Sequence, residues 1–240
     1  MRSLPTVTPI HETGHDLVLP GYAAPVPRVQ IDWQYFIDRR PAILAHTDDL
    51  PDYLLMPEIN RLINAELDAR RHLLLNTLWH TGARISEALA LTPGDFYLDD
   101  RLPYVSIETK KKRGRPKKKN KKTSRRMISI YNSVYAREVA SYLASTTLKK
   151  NERIWSITRQ TAYRWVERAV QNLAGQGHDI SIHTTPHTFR HSFAINAVIH
   201  CVQIAQLQPL LGHERRESTE IYTQILSAES GHVLARVAFQ

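Results

Sequence analysis

The chain has 240 residues, very little cysteine and no long apolar run. Its one cysteine, Cys201, excludes an internal disulfide framework and counts against a structural zinc site, although twelve histidines leave a histidine-only site open. No apolar stretch approaches the ~20 residues that cross a membrane. No basic segment followed by an apolar one opens the chain, which argues against a signal peptide. We therefore expect a cytoplasmic protein with no membrane association.

Acidic residues are missing from one segment, residues 110–126, which contains 12 lysines and arginines. The whole chain has 32 basic and 23 acidic residues, a formal net charge of +9. Outside the segment, 20 basic residues face 23 acidic ones, so the positive charge is concentrated in one place. Such a cluster favours polyanions, because it neutralises phosphates and releases counterions.

The apolar periodicity predicts a mainly helical chain with one small β-hairpin, an α+β fold. Residues 1–54 are expected to form a proline-rich arm with one short helix, Ile31–Arg39. Two strands, Tyr104–Thr109 and Met127–Tyr131, flank the basic segment, which would be the hairpin tip. A further helix is predicted to begin at Pro57. The other predicted helices are Arg71–Trp79, Ala83–Leu91, Ser133–Ala144, Arg159–Leu173, His187–His200, Val202–Leu211, Ser218–Leu226 and about Glu229–Phe239.

Two short segments combine cationic and polar residues at helix starts. In residues 81–89, TGARISEAL, Arg84 and Glu87 are three apart and share a helix face, which by itself favours an ordinary surface ion pair. In residues 185–191, TPHTFRH, a capping threonine and a proline precede His187 and Arg190, which project together from the first helical turn. That arrangement suits either a phosphate site or a basic helix cap.

A third segment, Leu-Gly-His at residues 211–213, is followed nine residues later by Tyr222. The glycine suits the end of a helix, so His213 would lie on the following turn. Taken alone, Tyr222 is either a packed aromatic side chain or a nucleophile.

Together, in this order and spacing, the three segments resemble the tyrosine recombinase (phage integrase) family over about Leu55–Ser227. The resemblance implies the catalytic-domain fold of that family for residues 55–227, with residues 110–126 as a basic hairpin insertion. Residues 228–240 would form a C-terminal helix that docks either on a neighbouring protomer or on its own chain.

The resemblance also implies a reaction: cleavage and rejoining of DNA through a 3′-phosphotyrosyl intermediate formed by Tyr222. Arg84 and Arg190 would hold the non-bridging phosphate oxygens, because a guanidinium fork contacts two oxygens at once and stays charged. His187 and His213 would hydrogen-bond the same phosphate, and His187 would help to deprotonate the tyrosine.

The remaining site residues have supporting roles in this scheme. Glu87 would orient its neighbours, and His191 is expected to be structural. A hairpin lysine would protonate the leaving 5′-oxygen; Lys110 is the first choice, with Lys111, Lys112 and Lys122 as alternatives. No metal and no other cofactor is expected, and the chain lacks a nucleotide-binding P-loop.

The centre of the basic segment, Arg113-Gly114-Arg115-Pro116, resembles an AT-hook, a motif that inserts into A·T-rich minor grooves. The alternative is an unstructured polycation that binds any DNA. The residues expected to contact DNA are Lys111, Lys112, Arg113, Gly114, Arg115, Pro116, Lys117, Lys118, Lys119, Lys121 and Lys122.

The expected partner is double-stranded DNA, on which a homotetramer would bind two sites. A monomer is one alternative for the protein free in solution. Accessory DNA-bending proteins are further candidate partners. The first ~55 residues are too few for the core-binding domain that most family members carry. This small size favours plasmid multimer resolution or DNA inversion, and resolution, on nucleoid or plasmid DNA, is the first choice. Alternatives are DNA inversion, integration and excision, a relaxing topoisomerase, or a non-catalytic DNA-binding regulator of the same fold.

Overall fold

A computed structural model describes residues 31–47, 49–99, 102–109 and 124–228 of the chain. The described residues from Asp32 onward belong to one compact unit, which is mainly helical with a small sheet, as predicted. The helices are α1 (Trp33–His46), α2 (Met56–Asn64), α3 (Ala69–Thr81), α4 (Ile85–Ala88), α5 (Ser133–Ala144), α6 (Arg159–Gly175), α7 (Pro186–Ile199), α8 (Ile204–Leu211), α9 (Glu217–Glu220) and α10 (Gln224–Ala228).

The sheet is antiparallel and has the order β1 (Phe96–Tyr97), β2 (Tyr104–Glu108) and β3 (Arg125–Ser129). Strands β2 and β3 form the predicted hairpin, and the short strand β1 is an addition that the sequence pattern did not predict. Strand β3 begins at Arg125 instead of Met127, because its pairing with β2 continues back to Glu108. The last two residues of the basic segment are therefore part of the sheet.

Helix α3 lies at the centre of the unit and packs against α5 and α7. Its leucines at 73, 74, 75 and 78 are essentially inaccessible to solvent, so the helix is apolar on more than one side. A helix buried in this way has to be covered by neighbours on several faces. Helix α7, which carries the predicted residues His187 and Arg190, is one of these neighbours and packs directly against α3.

Helix α1 is longer than predicted and continues through Pro41 to His46. Packing explains this extension: Ile43 is buried, and both terminal nitrogens of Arg40 donate to the carboxylate of Glu58, at 2.6 and 2.8 Å. The compact unit thus begins at Asp32, and the expected boundary after residue 54 falls inside it.

Two predicted helices near the site are shorter or interrupted. The one expected at Ala83–Leu91 is reduced to α4, because the chain turns after Ala88 and the carbonyl of Leu91 accepts a hydrogen bond from the Ile154 amide. The one expected at Ser218–Leu226 is α9 and α10 joined by a 3₁₀ turn, Ile221–Thr223.

Three predicted segments lie outside the described residues: most of the arm, the tip of the basic segment and the last helix near Glu229–Phe239. None of the helices in the described ranges is both long and apolar enough to span a bilayer. Within the same ranges, no three histidine, cysteine, aspartate or glutamate side chains cluster as metal ligands would.

Candidate active site

Two glycine turns bring the predicted site residues together. Gly82 ends α3 and Gly212 ends α8, both with positive φ, 57° and 63°. Such left-handed helix ends favour glycine, because a side chain is strained there. At Gly82 space is also lacking, since a Cβ atom would lie 2.5 Å from the ring of Phe193. Arg84 follows the first turn by two residues, and His213 follows the second directly.

Arg190 connects the two turns. Its side chain projects from the first turn of α7, and only 3% of the residue is exposed. Its two terminal nitrogens donate to the carbonyl of Gly82 at 2.7 Å and to that of Leu211 at 2.6 Å. Burial lowers the pKa of Arg190 to about 10, so the guanidinium is still charged at neutral pH.

Glu87 is the buried carboxylate of the site. Its Oε1 accepts from Nη1 of Arg84 at 3.0 Å, and its Oε2 accepts from the Arg84 amide at 2.9 Å and from Nη2 of Arg126 at 2.7 Å. Burial raises the pKa of Glu87, but the hydrogen bond and charge of Arg126, with those of Arg84, more than offset this and bring the pKa below its ordinary value. Glu87 is thus an ionised group that orients two arginines.

Arg126 was assigned to the basic segment on sequence grounds, yet it lies inside the site with 9% of its surface exposed. It was missed because a run of basic residues predicts a solvated loop. A signal was present: side chains alternate along a strand, so Arg126 shares the inward face of β3 with Ile128.

Arg84 and His187 are the more accessible members of the cluster. The side chain of Arg84 is 30% exposed, with Nη2 at 3.4 Å from the carbonyl of Gly212. His187 is exposed at the start of α7, where Thr185 caps the helix and Pro186 is its first residue, as predicted. Desolvation of the ring and the charges of Arg190 and Arg84 lower the pKa of His187.

His213 is held by a hydrogen bond between its Nδ1 and the hydroxyl of Thr219, at 2.9 Å. Burial, followed by the charges of Arg190 and Arg84, lowers its pKa to about 4. The imidazole is therefore neutral at physiological pH, and when Nδ1 accepts from the Thr219 hydroxyl its single N–H lies on Nε2, where it can donate to a ligand.

Tyr222 lies on the 3₁₀ turn between α9 and α10 and is buried. Its hydroxyl oxygen is 2.9 Å from Nδ1 of His191, one helical turn after His187 on α7. Burial raises the pKa of Tyr222, while the charges of Arg190 and Arg84 act in the opposite direction. The contact with the tyrosine is made by His191, which had been expected to be structural.

His191 is neutral at physiological pH. Burial, together with the charges of His187 and Arg190, lowers its pKa to about 4. A neutral ring with its proton on Nε2 accepts the Tyr222 hydroxyl hydrogen at Nδ1.

Seven predicted site residues thus meet in one place: Arg84, Glu87, His187, Arg190, His191, His213 and Tyr222. The predicted general acid Lys110 and the predicted DNA contacts at 111–122 lie outside the described residues.

Comparison with known proteins identifies the family and the fold. The profile of the phage integrase family matches residues 53–229. The chain belongs to this family. It is 35% identical to an Escherichia coli protein named "Resolvase" over 246 residues, an alignment that covers 95% of this chain and 90% of that protein. The family assignment makes the chain a tyrosine site-specific recombinase, an enzyme that cleaves and rejoins DNA through a tyrosine.

Two solved structures confirm the fold. The XerH site-specific recombinase, in a post-cleavage complex with its difH substrate, superposes with a TM-score of 0.60 at 22% identity over 78% of this chain. The chain spans about half of that recombinase, 54% of its length. The catalytic domain of bacteriophage HP1 integrase superposes with a TM-score of 0.52 at 21% identity and is covered over 99% of its length.

Proposed function

We propose that Tyr222 is the nucleophile of this recombinase and that double-stranded DNA is its substrate. One observation carries the proposal: the Tyr222 hydroxyl contacts His191 on α7, the helix that also carries His187 and Arg190, so the tyrosine and the cationic cluster belong to one site of a single chain. A tyrosine with a pKa near 10 needs nearby positive charge to attack at neutral pH.

The proposed step is a transesterification. The Tyr222 oxygen bonds to the scissile phosphorus, and the bond from phosphorus to the 5′-oxygen breaks. The products are a 3′-phosphotyrosine and a 5′-hydroxyl, whose proton comes from a lysine of the basic segment; Lys110 remains the prediction for it. We assign the first acceptance of the tyrosine proton to Nδ1 of His191, because this atom lies 2.9 Å from the hydroxyl oxygen.

The negative charge of the transition state is met by groups already in position. Arg84 and Arg190 would contact the non-bridging oxygens, and His187 and His213 would donate hydrogen bonds to them. Donors that need no rearrangement usually make the largest contribution to catalysis. The carbonyls and the carboxylate that hold the two guanidinium groups provide this preorganisation.

For the biological role, we infer resolution of plasmid multimers by a tetramer on two DNA sites, acting on nucleoid or plasmid DNA. The relative named "Resolvase", which matches nearly the whole chain, supports this role. The basic segment supports DNA binding, since the ten lysines and arginines at positions 110–122 would neutralise phosphates.

Covalent capture tests the nucleophile. The protein is incubated in EDTA with supercoiled plasmid carrying the DNA that flanks its own gene, then quenched with detergent, and protein-linked DNA is measured. We expect an adduct with the wild type and none with Tyr222→Phe. Tyr135→Phe, which alters another buried tyrosine, is the matched control and should form the adduct. An adduct in Tyr222→Phe, or its absence in a wild type that binds the same DNA tightly, would overturn the proposal.

A further inference from the structure

The C-terminal end of α8 binds three arginines at once. Its three consecutive carbonyls, at residues 210–212, face guanidinium nitrogens of Arg126, Arg190 and Arg84, at 2.8, 2.6 and 3.4 Å in that order. The last carbonyls of a helix have no partners within the helix and carry partial negative charge. Cations from three other parts of the chain supply the missing donors.

Arg126 differs from the other two because all three of its nitrogens are bound by protein atoms. Nε donates to the carbonyl of Leu210, Nη1 to the hydroxyl of Thr109 at 3.2 Å, and Nη2 to Oε2 of Glu87. Three of its five N–H donors are thus used within the protein, and with 9% of its surface exposed it is far less accessible to a phosphate than Arg84, whose side chain is 30% exposed.

We propose that Arg126 is a positioning residue of the recombination reaction, which sets the place of Arg84 through the carboxylate that both arginines share. This inference rests on the function proposed above. Glu87 is the side chain that both arginines share: one of its oxygens binds Nη1 of Arg84, and the other binds both the Arg84 amide and Nη2 of Arg126.

Loss of Arg126 should act on Arg84 in two ways. The carboxylate of Glu87 would lose the cation that contributes most to lowering its pKa, so burial would favour its protonated form. The carboxylate would also rotate more freely, and the guanidinium that it holds would follow. A displacement of about 1 Å in a catalytic group can cost ~100-fold in rate.

The neighbouring Arg125 offers a matched control. It belongs to the same strand and has the same charge, but its side chain lies on the opposite, exposed face of the sheet. There it pairs with Asp95 and donates to Ser106. Replacing either arginine removes one positive charge from the hairpin. Only the replacement of Arg126 removes a contact of Glu87.

The experiment measures the single-turnover rate of adduct formation and the dissociation constant for DNA, with melting temperature as a check on folding. We expect Arg126→Gln to lower the rate by ~100-fold with DNA affinity within about 3-fold of wild type. Arg126→Lys keeps the charge without the fork and should lose at least ~10-fold. Arg125→Gln should stay within about 3-fold of the wild-type rate.

A double-mutant cycle with Glu87→Gln separates positioning from a general structural role. If Arg126 acts through Glu87, Arg126→Gln should add less than about 3-fold to the defect of Glu87→Gln. Additive losses, or a wild-type rate in both Arg126 variants, would overturn the inference. If Arg126→Gln does not fold, the same cycle is run with Arg126→Lys.

Failure of the proposed function would look different. It would appear as an absent wild-type adduct or as an adduct in Tyr222→Phe. A Tyr222-dependent adduct that Arg126→Gln forms at the wild-type rate would refute the role of Arg126 alone.

Discussion

Within the described part of the chain, two pairs combine a partly buried histidine with a buried tyrosine. His80 and Tyr135 connect α3 and α5, with stacked rings 4.5 Å apart, and His191 and Tyr222 connect α7 with the 3₁₀ turn. In both pairs the histidine has a pKa of about 4, chiefly because it is buried. In both, burial raises the pKa of the tyrosine.

The two pairs differ in the charges around them. The charge near Tyr135 is the carboxylate of Glu138, which raises its pKa further. The charges near Tyr222 are Arg190 and Arg84, which lower its pKa against the effect of burial. The same two residue types thus lie beside a carboxylate in one place and beside two arginines in the other, and under the proposed function the arginines make the second pair a reaction centre.

The largest expected effect is on the rate of covalent adduct formation and comes from replacing Arg190. Arg190→Lys keeps a positive charge but cannot donate to the carbonyls of Gly82 and Leu211 in the same fork geometry. We expect the rate of covalent adduct formation to fall by ~100-fold or more, the usual cost of removing a positioned donor. The assay is detergent-quenched single turnover.

Arg40→Lys is the control for this experiment. Arg40 is equally buried, but its fork holds Glu58, remote in sequence from all the site residues. It should lower stability and leave the adduct rate unchanged. If Arg190→Lys reacted as fast as wild type, the contrast between the two pairs would not be due to the arginines.

Lowering the pH should affect the stability of both pairs alike. A histidine with a folded pKa of about 4 and an unfolded pKa near 6.5 binds its proton more readily in the unfolded chain. Stability is therefore intact above pH 6.5 and is lost as the pH falls towards 4, by ~2 kcal/mol per histidine at pH 5. Urea unfolding at pH 7.5 and pH 5.0 measures the loss.

His80→Phe and His191→Phe test the assignment of this loss. Each variant should reduce the difference between the two pH values by ~1–2 kcal/mol, because phenylalanine cannot be protonated. Only His191→Phe should also slow adduct formation. A pH difference that is unchanged in both variants would contradict the prediction.

The smallest effect is expected from Tyr135→Phe. The Tyr135 hydroxyl donates to Thr77 at 3.0 Å, and one neutral hydrogen bond contributes about 1 kcal/mol. The free energy of unfolding should fall by that amount, while the adduct forms at the wild-type rate. A slower adduct would show that the two pairs are coupled.

Much of the site could be predicted because its segments carry their own local signals. Thr185 and Pro186 start α7 as their residue types require, and this start places His187 and Arg190 on the first turn. Helix α5 has its predicted bounds, with Asn132 as the capping residue. Such features depend on neighbours in sequence, which the sequence itself shows.

The rest depends on contacts between distant parts of the chain. Arg126 and Glu87 are 39 residues apart, and a basic run does not reveal that its last member is buried. His187 and His191 share one face of α7, so their spacing could not show which of them contacts Tyr222. Pro41 predicted that α1 ends before it, but the packing of Ile43 and Arg40 stabilises a helix that continues to His46.

The end of α8 has a consequence for how this enzyme tolerates change. Its acceptors are backbone carbonyls, which every amino acid provides, so a substitution at the partly exposed Leu210 leaves the anchors of three arginines in place. Leu211 is fully buried, and a Cβ at Gly212 would lie 3.1 Å from Nη1 of Arg126 on a backbone that side chains rarely adopt. Changes at these two positions should therefore reach the arginines through the backbone, without removing any side chain that touches them.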